Sequence, residues 1–408
     1  MQPFDFQTFI TLGPTVLERV SPPPAGPVAS TILSYSGSGD VTAAVSRPPG
    51  DFRGCYPADF AGFPSGDIAL ISRGAPAGFV GSCTFAHKAN NALAAGASAV
   101  IIYNNAAGVL NATLGNDFTA DIPVVAVTQA VGAELAATPG LVMRVKTETF
   151  RGIATTSNVL AELPGKNASN VVMSGAHLDS VNAGPGINDN GSGSAALIEL
   201  AEQMGKVRPQ NTVRLAFWGA EESGLVGSNY YVANLSQAEL DKIAVYLNFD
   251  MIGSPNHVFF IYDGDDSDAI GAGPGPKGSA HIEETFEAFF EMRGEPYKGT
   301  DFSGRSDYGP FIAVGIPSGG LFTGAEGIKT AQEAAIWGGT AGQQYDPCYH
   351  LACDTFANNN DHALEVNSDA VAYATLSYAM STKAINGTKA KGNFKPGPHD
   401  DGHEADAA

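Results

Sequence analysis

Three apolar runs of strand length each deliver acid or imidazole at their carboxyl ends. Val171–Ala176 leads into His177 and Asp179, and a Gly- and Pro-rich loop then carries Asp189 toward an apolar-periodic run. Val213–Trp218 leads into Glu221 and Glu222, and Ala244–Phe249 leads into Asp250 and Met251. Strand and helix alternating in this way predict an α/β fold, a mostly parallel sheet with helices on both faces. Ligands of such sheets bind outside the carboxyl ends of the strands. Further on, His350 sits between Cys348 and Cys353. His177, Asp189, Glu222, Asp250 and His350 would bring imidazole and carboxylate to one sheet edge. That donor mixture suits zinc, a borderline-soft divalent ion.

Composition narrows the alternatives. The chain has 408 residues and a formal net charge of -20. Its length allows two or three domains. Its acidity disfavours nucleic acid and anionic lipid as partners, and no apolar run is long enough to span a bilayer. Four Cys permit three connectivities; the expected one pairs Cys55 with Cys83 and Cys348 with Cys353. Sequons lie at Asn111, Asn167, Asn234 and Asn386, and a formal one at Asn190 falls in the proposed metal loop as a chance match. Cystine and sequons together point to a secreted, extracellular protein. Met1-Gln-Pro-Phe carries no signal peptide, so a leader removed from a truncated N-terminus is expected. A monomer is expected.

His177-Leu-Asp-Ser, Gly186-Ile-Asn-Asp-Asn-Gly-Ser-Gly, Trp218-Gly-Ala-Glu-Glu-Ser-Gly, Asn248-Phe-Asp-Met-Ile-Gly, Gly304-Arg-Ser-Asp-Tyr, Gly320-Leu-Phe-Thr-Gly and Cys348-Tyr-His-Leu-Ala-Cys-Asp-Thr follow one another. In this order they resemble the co-catalytic dizinc aminopeptidases, including the secreted bacterial and fungal leucine aminopeptidases. The resemblance covers residues 151 to about 385 and implies a zinc-exopeptidase, phosphorylase/hydrolase-like fold. It implies a zinc-dependent aminopeptidase acting on peptides with a free N-terminus. Two zinc ions held about 3.5–4 Å apart need a shared ligand. A carboxylate can bridge and an imidazole cannot, so Asp189 is the expected bridge. His177 and Asp250 would complete one ion, and Glu222 and His350 the other.

The resemblance also distributes roles. Glu221 would be the general base, moving a proton from water to the leaving amine. Tyr349 would donate to the oxyanion. Arg305 would lie near the substrate backbone or amine, and Phe322 against the first side chain. The Asp189–Asn190 peptide would be cis. From its spacing alone, Asp179 is placed to fix the His177 tautomer. Met251 and Ile252 would add apolar wall, favouring a large apolar first residue such as Leu. Asp301 and Asp307 are acidic neighbours, and Asp361 and Asp369 are too unspecific to assign to calcium.

Elsewhere the chain is quieter. Residues 1–27 read as an irregular N-terminal segment, with Thr15–Val20 as a helical turn stopped by Pro22. Residues 28–150 hold Ile68-Ala-Leu-Ile-Ser, a helical run over Thr84–Ala95, Ala99-Val-Ile-Ile-Tyr and Ile122-Pro-Val-Val-Ala-Val. They resemble the protease-associated (PA) domain, a small, β-rich, non-catalytic insert; His87 there is structural or exposed. Residues 151–385 form the catalytic domain. Within it Leu197, Ile198, Ala201 and Met204 should share one buried stripe of a helix over Ser194–Met204. Ile282, Phe286, Phe289 and Phe290 should do so over residues 281–293. A last helix over residues 368–384 should turn Val371 and Leu376 inward. Residues 386–408, with His399 and His403, read as a disordered tail.

The alternatives are a carboxypeptidase of the same fold, which needs basic groups for a substrate carboxylate, and a non-catalytic receptor-like binding protein, which would lack ligands. The related glutaminyl cyclases use a single zinc.

Overall fold

The computed structural model describes residues 1–387 apart from positions 107 and 111. The sequon Asn111 and the tail residues His399 and His403 therefore lie outside the described residues. The chain divides into two compact units, Gln7–Ala154 and a second made of Met1–Phe6 with Thr155 onward.

The larger unit is built on a sheet of eight strands. Their order is Gln2–Thr11, Thr149–Leu163, Asn211–Trp218, Asn167–His177, Ile243–Phe249, Ser318–Phe322, Phe260–Tyr262 and Lys298–Thr300. The four central strands, from Asn211–Trp218 to Ser318–Phe322, are parallel. Antiparallel pairings flank them, Thr149–Leu163 on Asn211–Trp218 and Phe260–Tyr262 on Ser318–Phe322. The central strands are apolar without polar alternation because both faces are covered. On one face Val172, Ala176, Leu247 and Phe249 pack with Leu197, Phe286 and Val371 from three helices. On the other, Met173, Trp218 and Tyr246 pack with Tyr231 and Phe311. Tyr246 and Phe311 stack with ring centroids 3.8 Å apart and planes 4° apart.

Helix detail departs from the sequence reading at named positions. Over Gly193–Met204 the buried residues include Ala196, Leu197, Leu200 and Met204, whereas Ile198 is exposed and so is Ala201. At about 100° per residue, Ile198 falls on the far side of the helix from the centre of that stripe. The last long helix is Asp361–Met380, capped by Asn360, which accepts from the Ala363 amide. Val371 is buried as expected, but Leu376 is exposed, because the inward row runs through Val366, Ala370, Ala374 and Tyr378. Ser279–Arg293 buries Ile282, Phe286, Phe289 and Phe290 as its spacing predicts.

The smaller unit carries a second sheet. Its three inner parallel pairings join Gly39–Ser46, Ile68–Ser72, Ala99–Tyr103 and Val124–Val127. The helix Phe85–Ala94 starts at Thr84, whose side chain accepts from the His87 amide. His87 Nε2 lies 2.7 Å from the Cys55 carbonyl, a structural contact. Cys55–Cys83 and Cys348–Cys353 are both formed. The N-terminal segment is corrected: Val16–Ser21 is a strand, not a helical turn. It pairs antiparallel with Val142–Thr147 and turns Leu17 and Arg19 inward. That long-range pairing is invisible in a local window. Asn386 is also corrected. It ends a short helix, Lys383–Asn386, is only 4% exposed, and donates to Asn170 Oδ1, so no glycan can reach it. Asn234 is exposed, Asn167 half-buried and Asn190 buried.

Candidate metal centre

The parallel register brings the chemistry together. His177 is the last residue of its strand and pairs with Trp218, the last of its neighbour; Gly175 pairs with Asn248 on the other side. Asp250 and the Glu221-Glu222 turn thus leave the same edge. The loop carrying Asp189 is strapped to that edge by Asn190. Its Nδ2 donates to the Phe249 carbonyl, and its Oδ1 accepts from the amides of Gly193 and Met251. Gly193 permits this approach, since a Cβ there would stand 2.3 Å from the Phe249 carbonyl oxygen. The Asp189–Asn190 peptide is cis, as the resemblance implies.

Asp189 divides its carboxylate between two imidazoles. Oδ1 lies 3.2 Å from His177 Nε2, and Oδ2 lies 3.2 Å from His350 Nε2. His177 Nε2 is also 3.2 Å from Asp250 Oδ1, and His350 Nε2 is 3.0 Å from Glu222 Oε2. Each ring nitrogen thus faces two carboxylate oxygens, which a single N–H cannot serve well. Asp189 Oδ2 and Glu222 Oε1 are buried without a well-angled hydrogen bond. Buried acceptors left in this way are costly unless a cation sits among them. The donor atoms form two groups, His177 with Glu221 and Asp250, and Asp189 with Glu222 and His350, each within 4.8 Å. The residues fit a pair of divalent cations.

The electrostatics agree. Burial alone would lower the His350 pKa, yet Asp189 and Glu222 push it up to about 10. His177 is likewise raised, its burial outweighed by Asp250, Glu221 and Asp189. The pull on a proton is the pull a metal ion would feel. Glu221 and Glu222 are both raised, chiefly by burial. Asp307, 1% exposed, is pushed up to about 7 by burial, and its Oδ1 has no hydrogen-bond partner.

Asp179 acts differently from its expected part. The Nδ1 of His177 lies 3.1 Å from the backbone carbonyl of Asp179 and 3.8 Å from its carboxylate. That carboxylate instead accepts the amides of Glu221 at 3.0 Å and Glu222 at 3.2 Å. With only Leu178 between the strand end and Asp179, the nearer backbone oxygen reaches the ring first. Three non-Gly residues beside the centre have left-handed backbones: Ala220 (φ 56°), Met251 (φ 50°) and His350 (φ 58°). Such conformations cluster at functional sites.

A cleft opens onto the two groups, with Met251, Tyr262, Arg305, Phe322 and Tyr349 in its wall and Asp301 among its acidic lining. Tyr349 stacks on His350 at 3.8 Å, and Arg305 Nη2 donates to its hydroxyl at 3.2 Å. Several supporting residues escaped the sequence reading. Ser306 donates to Asp250 Oδ2 at 2.6 Å. Asp354 accepts the amides of Asn188 and Asp189. Asp346 accepts from Asn188 Nδ2, Asn358 Nδ2 and the Cys348 amide. Glu326 accepts from Arg305 Nη1. Ser306 and Asp354 stand inside stretches quoted above, next to Arg305 and Cys353, which was the available signal. Asp263, Asp265 and Glu283 form a third acidic group, whose oxygens accept backbone amides of Ser267, Asp268 and Gly264.

Residues 158–375 match the model of peptidase family M28. The chain belongs to peptidase family M28. Residues 38–135 match the PA domain. An aminopeptidase of Pseudomonas aeruginosa is 49% identical over 401 residues, covering 95% of this chain and 73% of the relative. Among solved structures, an aminopeptidase from Aneurinibacillus sp. strain AM-1 superposes with a TM-score of 0.69 at 29% identity, covering 98% of this chain and 86% of that one. A zinc aminopeptidase from Bacillus subtilis gives 0.61 at 27%, covering 96% and 88%. This M28 chain thus pairs the family's peptidase unit with a PA region. No described helix is long and apolar enough to cross a membrane.

Proposed function

We propose that this M28 member is a dizinc aminopeptidase that removes a large apolar residue, such as Leu, from a free N-terminus. The observation that carries the reading is the split carboxylate of Asp189, one oxygen toward His177 and the other toward His350. Asp189 would bridge, His177 and Asp250 would hold one ion, and Glu222 and His350 the other. When bound, zinc supplies Lewis-acid polarisation of the scissile carbonyl and acidifies water. The names of the relatives support the activity, and the Bacillus structure supports the metal.

The chain's own groups do the rest. Glu221 lies beside His177 and Asp250, and burial raises its carboxyl above the ordinary carboxylate value. Its Oε atom takes the proton of the attacking water and delivers it to the leaving amine. Tyr349 accepts from Arg305 and so keeps its own O–H for the oxyanion. Its phenol stays protonated, since burial and the Asp189 charge push its pKa far above the ordinary value. Met251 and Phe322 present apolar surface to the first side chain. The PA region holds none of these groups. Paired cysteines support an extracellular setting.

The test is zinc-loaded protein with leucine p-nitroanilide, its N-acetylated form and a peptide ending in leucine. Release from the free-amine compound alone is expected. Cleavage of the C-terminal leucine alone would turn the pocket around and make the enzyme a carboxypeptidase.

A further inference from the structure

Arg305 is the one Lys or Arg among the described residues lining the cleft. A free guanidinium there would grip a substrate carboxylate through both of its arms. Both are engaged: Nη1 donates to Glu326 Oε1 at 2.8 Å, and Nη2 to the Tyr349 hydroxyl at 3.2 Å. Glu326 sits beyond the end of the strand Ser318–Phe322, next to Ala325 of the cleft lining, with 42% of its side chain exposed. It offsets the arginine charge and adds an anion of its own.

We propose that Glu326 is a specificity-determining residue that makes the site discriminate against substrates with a free carboxylate on the residue after the scissile bond. Dipeptides are thereby disfavoured against longer or amidated peptides. A dipeptide acid meets a guanidinium already paired and a second carboxylate beside it. An amide or a longer chain presents only neutral carbonyls there, which Arg305 can serve without losing Glu326. This deepens the aminopeptidase reading and rests on it.

The experiment compares kcat/KM for Leu-Gly and Leu-Gly-amide within each zinc-loaded enzyme, full chain, wild type and E326Q. The acid-to-amide ratio is internal to each enzyme, so a general loss of activity cancels. A partly exposed unit charge near the substrate carboxylate changes such a ratio about two- to fivefold. The ratio is expected to rise by that factor in E326Q, which keeps an oxygen for Arg305 while removing the charge. The wild-type disadvantage of the acid should also shrink at high ionic strength. An unchanged ratio in E326Q overturns the proposal, as does a ratio that moves in E326A alone, which would leave Glu326 only a positioning role. Hydrolysis of neither compound by the wild type removes the aminopeptidase reading itself.

Discussion

Asp354 is the strongest test of how the centre is held. It is 2% exposed, and its oxygens lie 2.9 Å from the Asn188 amide and 3.1 Å from the Asp189 amide. It therefore fixes the peptide that carries Asp189, the carboxylate proposed to bridge, through two backbone amides. Asp354→Asn is nearly isosteric, but its NH₂ must face one of those N–H donors. One charge-assisted hydrogen bond is lost, about 1.5–3 kcal/mol, and a buried amide is left unsatisfied. Part of this is recovered by local yielding of the loop. The remainder displaces Asp189, and a change one contact removed from a metal ligand typically costs about 10–100-fold in metal affinity. Competition with a chromogenic chelator measures that affinity directly, and thermal unfolding of the metal-free forms measures the structural share. The expected result is zinc bound about 10–100-fold more weakly, with metal-free D354N melting a few degrees below wild type. Zinc affinity within twofold of wild type would refute the argument, because Asn190 and the contact of Asn188 with Asp346 would then suffice to hold the Asp189 loop.

Other outcomes follow from the same geometry. Glu221→Gln should keep full zinc content while kcat falls at least about a hundredfold; loss of one equivalent of zinc would make Glu221 a ligand rather than the base. Removing metal with a chelator should abolish activity and lower the melting temperature, both restored by zinc; a melting temperature indifferent to zinc would deny that these buried carboxylates need a cation. Glu283 gives a pH signature. Burial, joined by the Asp263 and Asp265 charges, pushes its carboxyl up to about 8. The folded chain then holds this proton more tightly than the unfolded chain, whose Glu titrates near about 4.3. Stability from it is complete below about pH 4 and is lost as pH rises toward about 8. Glu283→Gln should flatten that decline in melting temperature, and identical slopes in the two proteins would count against it.

The apolar strands and the residues at their ends were legible because both faces of the central sheet are covered, which leaves unbroken runs such as Val171–Ala176 that end in candidate site residues. The disulfides were legible for a similar reason, since each cysteine pair is close in the chain. What escaped depends on partners far apart in sequence. Val16–Ser21 looks helical until Val142–Thr147 lies beside it. Asp179 could be assigned to His177 by spacing, but spacing cannot say that its carboxylate meets two amides on the next strand's turn. Glu326 stands outside the stretches that carry the resemblance, and only the folded loop brings it to Arg305. Exposed Ile198 and Leu376 show that a helical stripe is placed by what packs on it, not by apolar residues alone.

The donors of the metal centre leave separate strands and loops, from His177 to His350, and meet only after the central sheet is in register. No fragment of the chain owns the site. An unfolded or half-built chain offers ions nothing better than isolated side chains, so the whole free energy of metal capture accrues to the finished fold. On the proposed function, zinc would thus inspect assembly as well as serve as a reagent. A molecule with one strand slipped would fail to load, and a loaded molecule certifies that its sheet edge is complete.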